Sequence, residues 1–205
     1  MKLHYHPLSS YSRKTAIGIA LRGDPVELVV LNPFAGGLKS PEFLEVSPFG
    51  KMPVLTGPHE GAIVESTSIL EYLEERGPRK LIPIGHERRA RHFDRLGDLY
   101  LLGPIGNFFW NKSVEIRETT EKTMARAWAV FERELSDGRD FICGADITLA
   151  DLSAAVAAHY ADTEGVAVPP SIAAYRARLE AHPVFAASRD AAMPFVESTR
   201  PMRGG

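Results

Sequence analysis

The sequence predicts two successive domains, a mixed α/β domain followed by an all-α helical bundle. Strand and helix patterns alternate as far as Arg76, whereas beyond Pro83 every periodic segment has helical spacing. The Gly77-Pro78 pair supplies a stop between the two regimes. The expected divisions are residues 1–78, a linker at 79–86, and residues 87–205. At about 150 residues per domain, a chain of 205 residues agrees with one small and one medium domain.

Lys2–His6 alternates and meets Pro7, which suits a short strand ending in a turn. Ser12–Leu21 follows as a helix, with Ile17, Ala20 and Leu21 on one face and Gly23 where a C-cap belongs. Val26–Leu31 reads as a strand, and residues 32–51 are a Pro- and Gly-rich loop around a helical turn at Glu42–Val46. Val54–Thr56 and Ala62–Val64 are short strands joined through Gly57-Pro58 and Gly61. Ser66–Arg76 is amphipathic, with Ile69, Leu70 and Leu73 inward.

In the second region Glu87–Asn111, Glu118–Leu135, Thr148–Tyr160, Ser171–Glu180 and Val184–Met193 read as helices. Gly103-Pro104 and Gly106 should interrupt the first of these. Met124, Trp128, Phe131 and Leu135 recur at helical spacing as a stripe that packs rather than binds a cofactor. Thr148 and Asp151 have capping-box spacing, with Ile147 and Leu152 placed for the hydrophobic staple. This is a folding device whose loss should cost about 0.5–2 kcal/mol. Arg200–Gly205 reads as a frayed tail.

Composition narrows the function classes. Apolar residues make up 44% and charged residues 24%, ordinary for a globular protein, and the net charge is −2 with both signs interspersed. No clustered basic face points to nucleic acid. The longest apolar run, Ile147–Val156, is broken by Thr148 and Asp151 and is far shorter than the roughly 18 residues of a membrane span. Met1-Lys2-Leu3-His4-Tyr5 lacks the apolar core of a signal peptide. The single cysteine, Cys143, excludes an internal disulfide, suits a reducing compartment such as the cytoplasm, and reads as a small buried residue.

Three short pieces of the first domain carry chemistry together. Ser9-Ser10 lies in the turn before the first helix, where unpaired N–H groups and the helix dipole favour an anion. A free thiol, of pKa about 8.5, is only about 3% thiolate at pH 7. A serine O–H donating to the sulfur anion contributes roughly 1.5–3 kcal/mol. The helix end adds about 0.3–1 kcal/mol. Together they match the roughly 2.7 kcal/mol that a two-unit lowering of the thiol pKa requires. The same serines, with Ser12, equally describe a plain helix cap.

Met52-Pro53 opens a strand and is either an ordinary strand start or, if cis, a backbone edge turned toward a peptide ligand. Ser66 can cap the helix it starts or bind a carboxylate, and Glu65 beside it is either a solvated acid or the partner of an ammonium. A ligand end bearing both charges is an α-amino acid. Lys39 and Lys51 are loop cations able to meet a second carboxylate. His4 and His6 can share one strand face, but two ligands do not make a metal site.

Pro7-Leu8-Ser9-Ser10-Tyr11-Ser12-Arg13, Ser40–Leu44, Ser47–Leu55, Glu65-Ser66 and Gly144–Asp151, in that order and spacing, resemble the glutathione S-transferase family over nearly the whole chain. The resemblance implies a thioredoxin-like N-terminal domain followed by a helical bundle, with glutathione as co-substrate and no metal. It implies that Ser9 faces the sulfur, as in the serine-type classes, assisted by Ser10, with Tyr5 a secondary candidate. Pro53 would be a cis proline, and Met52 would pair with the cysteinyl unit. Glu65 and Ser66 would hold the γ-glutamyl end, and Lys39 and Lys51 the glycine carboxylate. Phe49 would be the aromatic that enters the partner subunit of a homodimer. Tyr11, Phe34, Tyr100, Phe108, Phe109 and Trp110 would line the pocket for a hydrophobic electrophile, and equally suit core positions.

The implied activity is addition of the glutathione thiolate to an electrophilic small molecule. Isomerisation of maleylacetoacetate-like substrates, peroxidase and dehalogenase chemistry use the same thiolate. A non-catalytic carrier or interaction module on the same fold is the competing class. No cysteine occupies the Ser9 region, which argues against the thiol–disulfide exchange of the cysteine-type classes.

Overall fold

In the computed structural model of the chain, residues 1–78, 80–110 and 113–203 are described, without the side chains of Met202 and Arg203. Arg79 of the expected linker, Asn111 at the end of the expected first long helix, and Gly204-Gly205 of the expected tail lie outside the described residues. The chain forms two compact units, Met1–Lys80 and Leu81–Gly205.

The first unit runs β1 (Lys2–Tyr5), α1 (Ser10–Arg22), β2 (Glu27–Val30), α2 (Pro41–Val46), β3 (Val54–Thr56), β4 (Ile63–Val64) and α3 (Ser66–Glu75). The sheet order is β2-β1-β3-β4. β1 is parallel to β2 and antiparallel to β3, which is antiparallel to β4. Leu3, Val54, Leu55, Ile69 and Leu70 are fully buried and form the core between sheet and helices. The loop after β2 contains 3₁₀ turns at Pro33–Ala35 and Gly37–Lys39.

α1 is delimited by local chemistry at both ends. Ser9 caps its start, accepting a hydrogen bond from the Ser12 N–H at 3.3 Å. Gly23, at φ 74°, ends it in a Schellman arrangement: its N–H reaches the Ala20 carbonyl, and the Asp24 N–H reaches that of Ile19. Its inward face differs from the expected Ile17, Ala20 and Leu21. Ala20 is exposed and Leu21 half-buried, while Ser12, Arg13, Lys14 and Thr15 are buried with Ile17 and Ile19. Apolar spacing misses such a face because polar side chains with internal partners, as Lys14 and Thr15 have, can be buried.

The second unit contains α4 (Glu87–Gly97), a π-helical turn at Asp98–Leu102, α5 (Gly103–Trp110), α6 (Val114–Glu134), α7 (Leu149–Thr163), α8 (Pro170–Glu180) and α9 (Pro183–Thr199). The expected interruption lies one turn earlier than Gly103-Pro104. Pro104 has no N–H for the Tyr100 carbonyl and its ring crowds that group, and the turn widens so that the Gly103 N–H reaches the Asp98 carbonyl. α4 approaches α7 closely at Gly97, where an added Cβ would stand 2.6 Å from the Ser153 side chain. The Ser153 hydroxyl donates to Asp98 at 2.7 Å there.

α6 starts earlier than expected because Ser113 caps it, and Leu135 at its C-cap is only half-buried, whereas Met124, Trp128 and Phe131 are core. α9 runs through Pro194 rather than stopping at Met193, because Ala192, Val196 and Thr199 continue a buried helical stripe past the proline. Cys143 is half-buried rather than buried. The Thr148–Asp151 capping box is present and extends further. Fully buried Asp151 also accepts from the Ile142 N–H at 3.0 Å and the Tyr175 hydroxyl at 2.5 Å. Burial pushes its carboxyl pKa up, and these donors oppose that rise.

The C-terminal ends of α1 and α3 are joined by a buried polar cluster. Arg22, 6% exposed, pairs with Glu74 and with Asp24, and donates to the carbonyls of Leu73 and Pro78 at 2.7 and 3.0 Å. Glu74 in turn accepts from the Lys80 N–H at 3.1 Å, and the Lys80 ammonium donates to the Arg22 carbonyl at 2.8 Å. Removing Glu74 leaves the buried guanidinium to Asp24 and takes the carboxylate acceptor from the Lys80 N–H. Glu74→Ala should therefore lower unfolding free energy by about 3 kcal/mol in urea titration, and an unchanged midpoint would refute a structural role for the pair.

Candidate functional site

Strand register decides where the three chemically suggestive pieces lie. His4 pairs with Val54 and Val54 with Val64, so Tyr5, Pro53 and Glu65 are the next residues at one end of the sheet. Chain leaves or enters that end at four places: the turn carrying Ser9-Ser10 after β1, the loop after β2, Met52-Pro53 before β3, and Glu65-Ser66 after β4. A buried hydrogen bond ties the starts of the two helices that begin there. Lys14 of α1, fully buried, donates to the Thr67 hydroxyl in the first turn of α3 at 2.8 Å.

Ser9 and Ser10 are half-buried. Accepting the Ser12 N–H uses one lone pair of the Ser9 hydroxyl and leaves its proton to donate. The Ser9 N–H is taken by the His6 carbonyl at 3.0 Å. Tyr5 is half-buried, and burial raises its phenol pKa, so it stays protonated at neutral pH. The Met52–Pro53 peptide bond is cis. The Ser47 hydroxyl closes the turn before it, donating to the Lys51 carbonyl at 2.7 Å and accepting the Lys51 N–H at 3.1 Å.

Ser66 does not cap α3. It is the first helical residue, 3% exposed, and the N-cap is Glu65, whose side chain makes no capping bond. Glu65 has φ 72°, the left-handed region that favours glycine, at a cost of about 1–3 kcal/mol. The strained residue turns the chain sharply into the helix and leaves the N-terminus of α3 without a side-chain acceptor, an arrangement that favours an external anion. Lys39 and Lys51 are both exposed. Their segments touch: a Cβ on Gly50 would lie 2.9 Å from the Leu38 carbonyl oxygen.

Among the aromatics of the first unit, Tyr11 is half-buried, while Phe34 is 48% and Phe49 74% exposed. In the helical unit, Tyr100 and Trp110 are exposed at 46% and 57%. Phe108 and Phe109 are core residues instead of open pocket lining. Phe108 is 1% exposed beneath the Arg117 guanidinium, and Phe109 meets Tyr160 edge-on. Which face of a short aromatic helix turns inward depends on its neighbours, which spacing does not report.

His4 and His6 each have a protein partner: His4 lies 2.9 Å from the Thr56 hydroxyl, and His6 accepts from the Leu8 N–H. Among the described residues no group of three or more His, Cys, Asp or Glu could hold a metal ion. No described helix is long and apolar enough to cross a membrane.

The family profile described as Glutathione S-transferase, N-terminal domain, matches residues 3–81, and that described as Glutathione S-transferase, C-terminal domain, matches residues 115–187. The chain belongs to the glutathione S-transferase family. It is 32% identical over 163 residues to a glutathione S-transferase of Pseudomonas putida, covering 74% of this chain and 70% of that protein. It is 30% identical over 203 residues to human glutathione S-transferase theta-2, covering 88% and 81% of the two. A glutathione S-transferase of Methylobacterium radiotolerans, solved in complex with glutathione sulfonate, superposes with TM-score 0.77 at 29% identity, covering 91% of this chain and 93% of that one. The four-stranded sheet with its helices and the following helical unit are the glutathione transferase fold, a thioredoxin-like domain and a helical bundle.

Two features of the site escape sequence reasoning. The Lys14–Thr67 bond joins residues 53 positions apart and leaves no local trace. His6 as acceptor for the Leu8 amide has a weak signal, a polar side chain two residues before the amide it accepts from, as in an Asx turn.

Burial lowers the pKa of both His4 and His6, and the charge of Lys2 lowers that of His4 further while Glu27 opposes it. As pH falls, the unfolded chain therefore takes up these protons first, near its ordinary histidine pKa of about 6.5. Stability contributed by the neutral rings is complete above that pH and declines as pH drops toward their lowered folded values. The urea midpoint should be lower at pH 5.5 than at pH 7.5, and His6→Asn should shrink the difference. A flat profile across this range would contradict the assignment.

Proposed function

We propose that this chain binds glutathione at the open end of its sheet, holds the sulfur as thiolate with the Ser9 hydroxyl, and adds it to an electrophilic small molecule. The observation that carries this reading is the register that brings Ser9, the cis Met52–Pro53 bond and the uncapped start of α3 to one end of the sheet. Family membership and the glutathione sulfonate bound by the Methylobacterium relative support it.

The Ser9 proton donates to the sulfur anion while Ser12 N–H holds the oxygen from behind. Ser10, at the first helical position, adds a hydroxyl and an N–H. The Met52 backbone, freed from the sheet before β3, pairs with the cysteinyl unit. The α3 N-terminus with Ser66 takes the α-carboxylate of the γ-glutamyl end, and Glu65 takes its ammonium. Lys39 and Lys51 meet the glycine carboxylate. Tyr11 and Phe34 are the first unit's aromatic contacts for the electrophile; the helical unit exposes Tyr100 and Trp110.

In the reaction the thiol proton is lost to solvent, the sulfur lone pair forms the new carbon–sulfur bond, and with an aryl halide the carbon–halogen bond breaks and halide leaves. Phe49, at 74% exposure, is assigned to the contact between two copies of the chain. One free cysteine suits a cytoplasmic setting.

Ser9→Ala should reduce turnover of a model aryl halide at least roughly tenfold and raise the bound thiol pKa by about one to two units while glutathione still binds. Ser9→Asp, which preserves the cap but has no proton to give at neutral pH, should be equally impaired. Full activity in both variants would remove Ser9 from the chemistry; loss only in Ser10→Ala or Tyr5→Phe would transfer the role to that residue. Glu65→Ala should lose most retention on glutathione-agarose. Equal or absent retention of wild type and variant would favour the non-catalytic module.

A further inference from the structure

The turn that presents Ser9 is held by a residue outside the catalytic set. His6, 3% exposed at the end of β1, accepts the Leu8 N–H on Nδ1 at 3.1 Å. Its carbonyl accepts the Ser9 N–H at 3.0 Å. The one residue thus closes the Pro7–Leu8–Ser9 turn twice, by side chain and by main chain. We propose that His6 is a positioning residue for Ser9, its Nδ1 and carbonyl together setting where the Ser9 hydroxyl stands against the sulfur. This rests on the glutathione-binding reading above.

Three observations support it. The ring is wedged edge-on against Phe34, with centroids 6.2 Å apart and planes at 85°, which limits its rotation. Burial lowers its pKa, so the neutral ring keeps the Nδ1 lone pair at pH 7 and carries its proton on Nε2. The Ser9 amide, consumed by the His6 carbonyl, is not a donor to the ligand, so the burden of contacting sulfur from Ser9 falls on its hydroxyl. A displaced turn would move that hydroxyl while leaving the α3 terminus and the cis proline, which bind the rest of the tripeptide, in place. The expected loss is therefore in kcat rather than in glutathione KM.

The test compares His6→Leu, which removes the acceptor, with His6→Asn, whose Oδ1 can stand where Nδ1 stood. With His6→Leu the apparent pKa of bound glutathione should rise by about one unit, and kcat should fall roughly tenfold with KM within about twofold. His6→Asn should stay within about threefold of wild type in kcat. In the ligand-free proteins, hydrogen exchange of the Leu8 amide should quicken in His6→Leu and not in His6→Asn. Should His6→Leu not fold, His6→Gln replaces it, since its longer arm misplaces the acceptor; equal kcat in the Asn and Gln variants then overturns the proposal. Thiol ionisation and kcat unchanged in His6→Leu also overturn it while leaving the role of Ser9 intact. A wild-type protein that leaves the bound thiol protonated overturns both readings.

Discussion

The antiparallel register of β1 on β3 is the constraint on which the site depends. Shifting it by one residue would move every side chain of a strand to the opposite face and would break the buried Leu3–Leu55 pairing. Because the register is held by that core, the ends of β1, β3 and β4 coincide, and segments more than forty residues apart in the chain emerge side by side. Nothing in the serine turn, the Met-Pro step or the Glu-Ser step requires them to meet. The sheet does that, and each segment then needs only its own short-range geometry.

Those local geometries share one theme: each piece of backbone at this end of the sheet has its own groups satisfied so that a few remain directed outward. The Ser9 amide, the Ser12 amide and the Lys51 amide all have internal acceptors, while the Ser9 hydroxyl oxygen is used as an acceptor with its proton still to donate, and no N-cap side chain accepts at the start of α3. Glu65 carries backbone strain at that point, which fits a position selected for its direction rather than for stability. The helical unit solves a different problem. Its central helix α7 is buried from Leu149 to Ala161 along its whole circumference and admits close neighbours through small residues such as Gly97 and the alanines of α7. Asp151 closes its start with donors from three separate segments.

The legibility of the chain divides along the same line. Helix ends were readable: Gly23 where a left-handed residue is needed, and Thr148 with Asp151 at capping-box spacing. Ser9 was readable both as a cap and as a candidate hydroxyl, and it has the geometry of the first without losing its capacity for the second. The assignment of Ser66 as cap failed because the N-cap took an unusual backbone at Glu65, which no side-chain preference announces. Phe108 suited pocket and core equally in the sequence, because an aromatic helix gives no contrast between faces, and it lies in the core. Lys14 and Arg22 were invisible as interior residues because charged side chains enter a core only when distant partners receive them.

By itself the amino-acid sequence determined the order of the two domains, the existence of most elements, and which short segments are candidates for the site. These follow from backbone sterics, apolar periodicity and hydrogen bonds spanning a few residues. Only the tertiary structure decided which end of the sheet collects them, where the π turn relieves Pro104, and which polar side chains lie inside. The meeting of the strand ends and the buried polar pairs rest on partners 52 to 58 positions away, as between Leu3 and Leu55, Arg22 and Glu74 or Lys80 and Arg22, and such pairings exist only once the chain has closed on itself.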